Sequence, residues 1–349
     1  MHRQTCIDAA TAPSAAFDSA IRPSPSSFVH PLPRLVAKRF WPRRRSAILQ
    51  PRTCLHKDSL HMPDLATGAL LDQSPPKAKS FISGTQADGR RSLRVAAISW
   101  FAVAATGQLL FVVYLLLLYG RAALRGDWAA LNKVMPHGYV PGDVPGNLTI
   151  ALHILLAVII TLGGLIQLVP QIRLRAPAFH RWNGRVYMTC VAATCVAGLY
   201  MVWVRGGGPG DLSQNLGITF DAVLILLCAG MALRHALARQ IAVHRQWALR
   251  LFMAANGVWF FRVGLMFWIL LNHGPVGFDP KTFTGPFLTF LSFADILLPL
   301  AVLELYLRAK ERGRTPQRIA VAATLGVLTV AMATGIFGAV VGLWLPNVQ

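Results

Sequence analysis

Acidic residues are scarce in this chain: 14 Asp and Glu stand against 34 Lys and Arg in 349 residues, a formal charge of +20. Charge of either sign is sparse, at 14% of residues, while 54% are hydrophobic and the mean hydropathy is +0.48. That balance excludes an ordinary soluble domain and places the chain in a bilayer. Cysteine is sparse as well. Cys6, Cys54, Cys190, Cys195 and Cys228 form no CxxC pair, so neither a disulfide framework nor a zinc site is implied. A glycine-rich phosphate loop, a G-x-S-x-G elbow, an H-E-x-x-H helix and paired carboxylates at a recognisable spacing are all missing, and no catalytic motif is evident.

What the chain has is long apolar runs. Stretches of about 18 to 27 residues recur, against the roughly 20 that a helix needs to cross a hydrocarbon core. Seven spans are expected: Val95 to Gly120, Leu148 to Val169, Val186 to Val204, Leu216 to Leu233, Leu251 to Leu271, Pro286 to Leu307 and Ile319 to Leu345. The expected fold is an all-α polytopic bundle over 95–345, because a β-barrel would show alternating segments of about 10 residues.

The basic residues sit in alternate loops. Arg173, Arg175, Arg181 and Arg185 follow span two, Arg234, Arg239, Arg245 and Arg250 surround the link from span four to five, and Arg308, Lys310, Arg312 and Arg314 follow span six. The positive-inside rule puts these loops and the amino terminus in the cytoplasm and the carboxyl terminus outside. Membrane topology therefore accounts for the positive charge, and nucleic acid is not the expected partner. Residues 1–94 are rich in Pro, Ser and Arg without hydrophobic periodicity, and are expected to be disordered. Residues 1–61 read equally well as an over-extended gene start, with Met62 the true initiator.

One phrase occurs twice. HRWNGRVYM, His180 to Met188, and HRQWALRLFM, His244 to Met253, share His-Arg, Trp, Arg, an apolar residue, an aromatic and Met in order, each opening an apolar run. Spans two to five, about 148–271, then read as two hairpins in pseudo-repeat. Each phrase can present a histidine with two guanidinium groups: His180 with Arg181 and Arg185, His244 with Arg245 and Arg250. Together with Arg173 these form a candidate cytoplasmic pocket for a small anion or an anionic lipid headgroup. The plainer reading is that the arginines fix topology while the aromatics form an interfacial belt.

Ionisable residues inside spans are expensive and normally face a protein interior. His153, Asp221, Arg262 and Asp295 qualify. His153 and Asp221 lie about 8 Å below the outer end of their spans, and Arg262 and Asp295 about 14 Å. Equal depth predicts a buried Arg262–Asp295 ion pair; His153 and Asp221 occupy comparable places in the repeat that would allow a hydrogen bond, with His153 read either as a packed core histidine or as a haem ligand or proton carrier tuned by Asp221. The small residues Gly335, Gly338, Ala339 and Gly342 in span seven offer a close-packing face, either within the chain or for a second copy.

The stretch from His153 through Gln167, Arg173, HRWNGRVY and HRQWALR to Arg262 resembles the bacterial membrane-protein family named domain of unknown function 2306. The resemblance covers spans two to five and implies a helical domain of the bacterial inner membrane, with no established activity. A more distant similarity is to the b-type cytochromes, which implies at most one haem between His180 and His244. Three functions follow in order: binding or moving a small ligand, lipid headgroup or proton; haem-based membrane redox chemistry; and a scaffold acting through partners. Oligomeric state stays open.

Overall fold

A computed structural model describes residues 78–134, 138–206, 208 and 210–348. The expected disordered leader up to residue 77, with Met62, lies outside the described residues.

Eight principal helices follow one another: α1 Ala78–Leu115, α2 Val144–Leu168, α3 Pro177–Trp203, α4 Leu212–Leu237, α5 Ile241–Ala255, α6 Gly257–Leu271, α7 Pro286–Arg312 and α8 Thr315–Ala339. The chain is a multi-span helical membrane protein. Six helical segments are by themselves long and apolar enough to cross a bilayer, and α5 with α6 passes the same test as a pair bent by 53°. Counting that pair as one crossing gives the seven expected.

Local chemistry sets the ends. The Asp143 carboxylate caps α2 by accepting from the Gly146 N–H at 2.9 Å, and Pro145 sits in the first turn, where its missing N–H costs nothing. Asp211 caps α4 in the same way, and the Ser213 hydroxyl together with the Gln214 N–H holds its carboxyl below the usual range. Pro170 and Pro177 push the residues before them out of helical geometry, at Val169 (ψ 113°) and Ala176 (ψ 63°). They isolate the short helix Pro170–Arg175 between α2 and α3.

α1 corrects one boundary. It starts at Ala78 and not at Val95, so residues 78–94, expected to be disordered, are helical. Asp88, Arg90, Arg91 and Arg94 conceal that stretch from a hydropathy criterion, yet Leu93 is buried against Ala309 and Leu325 of α7 and α8.

α2 packs on α3, α4 on α5, and α1 on α8, which also lies along α6; α7 touches α4, α5 and α6. Leucines and valines along the outer faces stay exposed, among them Leu148, Leu155, Val196 and Leu227, as the lipid-facing surface of a membrane bundle requires. Attraction between helices in lipid comes from close packing and polar contacts, because hydrophobic burial supplies no drive there. Gly335 shows the packing: a Cβ on it would overlap the Val263 carbonyl of α6. Gly338 lies against Leu270 and Gly342 against Met266, so the small-residue face of span seven is used within the chain.

At the end of the bundle opposite the basic loops, Arg205 Nε meets Asp143 Oδ2 at 2.7 Å and Arg205 Nη2 donates to Asn147 Oδ1 at 2.9 Å. This cluster ties the start of α2 to the end of α3. At the basic end Arg250 pairs with Glu304 at 2.6 Å, joining α5 to α7.

Candidate functional site

The second His-Arg phrase opens a helix that breaks. Asn256 (φ −101°, ψ 12°) leaves helical geometry, and its Nδ2 donates to the Phe252 carbonyl at 2.7 Å, closing the end of α5. Gly257 then starts α6, and the Phe260 N–H takes the Asn256 carbonyl at 3.0 Å. A side-chain amide that can satisfy the freed backbone, followed by a residue with no side chain, makes the bend affordable inside a membrane.

Two carboxylates converge on the break. The point that a Cβ on Gly257 would occupy lies 3.3 Å from Asp221 Oδ2 and 3.7 Å from Asp295 Oδ2. Asp221 comes from α4 and Asp295 from α7, and each is the other's charged neighbour. Asp295 is 6% exposed, and Oδ1 of both residues is buried without a hydrogen-bond partner in the protein. The carboxylates stand beside the first residue of α6, where the helix dipole favours negative charge. Pro299 lies one turn after Asp295. With no N–H to donate four residues back, it releases the Asp295 carbonyl from the helical ladder. A paired-carboxylate arrangement is therefore present, contrary to expectation from the sequence, because its members come from different spans.

Asp295 also lies on the wall of a partly open cavity of about 550 Å³ bounded by α1, α5, α6, α7 and α8 with the last residue of α2. The lining is apolar and rich in aromatic rings, including Trp100, Phe260, Trp268, Phe287 and Tyr306. Trp268 and Phe287 stack at 4.5 Å and 12°, walling one end. Arg245 and Lys310 stand at the other end, the latter 5.6 Å from the Tyr306 ring. Phe290 and Leu298 line the cavity yet are 65% and 55% exposed, so its wall faces the lipid between them. The volume falls in the range of small-molecule sites.

The expected partnerships are rearranged. Arg262 does not pair with Asp295. Its guanidinium lies 5.3 Å from the Phe111 ring of α1, its Nη1 donates to the Val258 carbonyl at 3.3 Å, and its polar neighbours are Tyr119 and Tyr114. Equal depth placed both residues at one level, but they point to different sides of α6. His153 does not reach Asp221 either. Its ring lies against Gly198 of α3, and its Nδ1 is buried without a partner.

The predicted cationic pocket is only partly assembled. His180 has Arg173, His244 and Arg181 as charged neighbours, and its carbonyl accepts from Gln167 Nε2 at 2.9 Å. His244 Nδ1 is bound to the Ala232 carbonyl of α4 at 2.9 Å, which makes that nitrogen the donor. Arg250 is occupied by Glu304 and by the Trp247 ring at 4.7 Å. Arg181 and Arg185 are exposed, and Arg245 faces the cavity end. Neither histidine lines the cavity, and among the described residues no group of three or more His, Cys, Asp or Glu is placed to hold a metal ion.

Fold and interior together define a polytopic helical membrane protein with a carboxylate pair at a helix break. Residues 150–298 match the family model described as a predicted membrane protein, DUF2306. The match runs from α2 to beyond Asp295, so it reaches into the sixth span, one further than the resemblance noted from the sequence. It includes Asp221, Gly257 and Asp295. No curated protein and no solved structure matches the chain.

Proposed function

We propose that this protein holds a small ligand in its membrane-embedded cavity and exchanges a proton at the Asp221–Asp295 pair as the ligand enters or leaves. The observation that carries this reading is the meeting of two carboxylates, each with a buried Oδ1 that has no hydrogen-bond partner, at the break of a spanning helix, one of them on the cavity wall. Two negative charges this close in low dielectric repel strongly, so a proton or another cation must be shared between them. Broken helices at mid-membrane provide such sites because their ends offer dipoles and free backbone groups. The basic loops then belong on the cytoplasmic side, and the two His-Arg hairpins act as unequal halves, one fixed and one bearing the site.

Infrared difference spectroscopy on the detergent-purified protein tests the proposal. Lowering the pH should raise a carboxylic acid band that Asp221→Asn and Asp295→Asn each diminish. A band unchanged by both substitutions would contradict it.

A further inference from the structure

The cavity's shape and chemistry say what class of ligand would use it. We infer that the site accepts a lipophilic organic cation, which takes the place of the proton at the Asp295 carboxylate; this rests on the function proposed above.

Three features converge. Among the described residues lining the cavity, Asp295 is the acidic one, and its Oδ1 is buried with no partner. The cavity that Asp295 lines also carries aromatic rings, among them Trp100, Phe260, Trp268 and Phe287, whose negative quadrupoles favour a diffuse positive charge. The lining beside Asp295 is otherwise apolar, so a compact hydrated ion would lose its shell for little return, whereas a cation wrapped in hydrocarbon would not. The wall at Phe290 and Leu298 faces the bilayer, where such a molecule concentrates. An anionic amphiphile fits less well. Its headgroup could meet Arg245 and Lys310, but Lys310 is about 22 Å along α7 from Asp295, and the anion's remaining body would leave that carboxylate unanswered.

Charge balance fixes the coupling. The ligand brings one positive charge to the carboxylate pair, and one proton leaves to solvent. The other charged or titratable groups facing Asp295 are few: Asp221 from α4 shares its charge, Arg245 from α5 and Tyr306 and Lys310 from α7 lie at the cavity end, and Arg262 of α6 is turned to Phe111. α1 and α8 contribute apolar lining.

The test uses the full-length protein in detergent with tetraphenylphosphonium, followed by equilibrium dialysis and by a pH indicator in weak buffer. Saturable binding is expected, with proton release and an affinity that falls as pH is lowered. Tetraphenylborate, of the same shape and opposite charge, should bind at least tenfold more weakly. Asp295→Asn should lose tenfold or more in tetraphenylphosphonium affinity, and Ala331→Trp, which fills the cavity without touching the carboxylates, should lose binding while keeping the infrared carboxyl signal. Equal binding of both probes, or full affinity in Asp295→Asn, overturns the inference. Absence of tetraphenylphosphonium binding with the carboxyl signal intact overturns the ligand class alone; loss of that signal's dependence on Asp221 and Asp295 would overturn the proton-exchange reading beneath it.

Discussion

The two hairpins whose second helix opens on a His-Arg phrase use the same letters for opposite ends. In α2–α3 the side-chain amides are taken up by packing: Asn183 Nδ2 donates to the Gly163 carbonyl at 3.0 Å, Gln167 Nε2 donates to the His180 carbonyl, and α3 runs unbroken for 27 residues, while the partnerless His153 Nδ1 and Tyr187 Oη lie away from the cavity. In α4–α5 the helix stops after 15 residues, its phrase supplies Arg245, Leu249 and Met253 to the cavity, and Asp221 is left without a protein partner at Oδ1. The phrases meet at one point. Tyr187 and Phe252, which occupy equivalent places in the two copies, each come within 3.2 Å of where a Cβ on Gly164 would be. A satisfied polar group in a membrane interior stabilises the fold, whereas an unsatisfied one raises the energy of the resting state and persists where it has something to bind.

That contrast can be broken most forcefully at the junction. Gly164→Leu should cost about 3 kcal/mol, near the upper end of overpacking, because the rings on either side belong to separate helices. Thermal unfolding in detergent would show it, and an unchanged midpoint would mean the two halves do not bear on that glycine. Within the first hairpin, Arg205→Ala removes both the Asp143 and the Asn147 contacts of a largely buried guanidinium and should cost roughly 2 kcal/mol. Asn183→Leu deletes a single neutral hydrogen bond, with an expected loss of about 1 kcal/mol. In the second hairpin, the Arg250–Glu304 pair, 19% and 34% exposed against 8% and 28% for Arg205–Asp143, should matter least: Arg250→Ala is expected to cost about 0.5 kcal/mol, and a loss as large as that of Arg205→Ala would erase the distinction between the halves.

Much of this arrangement is legible in the sequence. Apolar run lengths give the number of crossings when α5 and α6 are counted together, and the intramembrane residues Asp221 and Asp295 stand out by type alone. Their partnership does not, because depth along a helix is readable from residue number while direction around it depends on packing with neighbours. Hence Arg262, at the same depth as Asp295, faces Phe111 instead. Two local signals in the sequence could have found the site. Asn256–Gly257 is a breaker pair inside an apolar run, and Pro299 lies four residues after Asp295, where it frees that residue's carbonyl. The His-Arg pocket read from spacing loses Arg250 for a related reason: spacing cannot show that Glu304, 54 positions on along the chain, reaches back to claim it.

The most direct test of the division between a packed hairpin and a working one is the thermal stability of Asp221→Asn/Asp295→Asn beside that of Asn183→Leu. Neutralising two carboxylates that lack a hydrogen-bond partner at Oδ1 removes repulsion and desolvation without removing a protein hydrogen bond at those atoms. The double variant should melt at or above the temperature of the unmodified protein while Asn183→Leu melts below it. A double variant that melts as low as Asn183→Leu, or lower, would show that the pair holds the bundle together and would contradict the assignment of the break as a functional site.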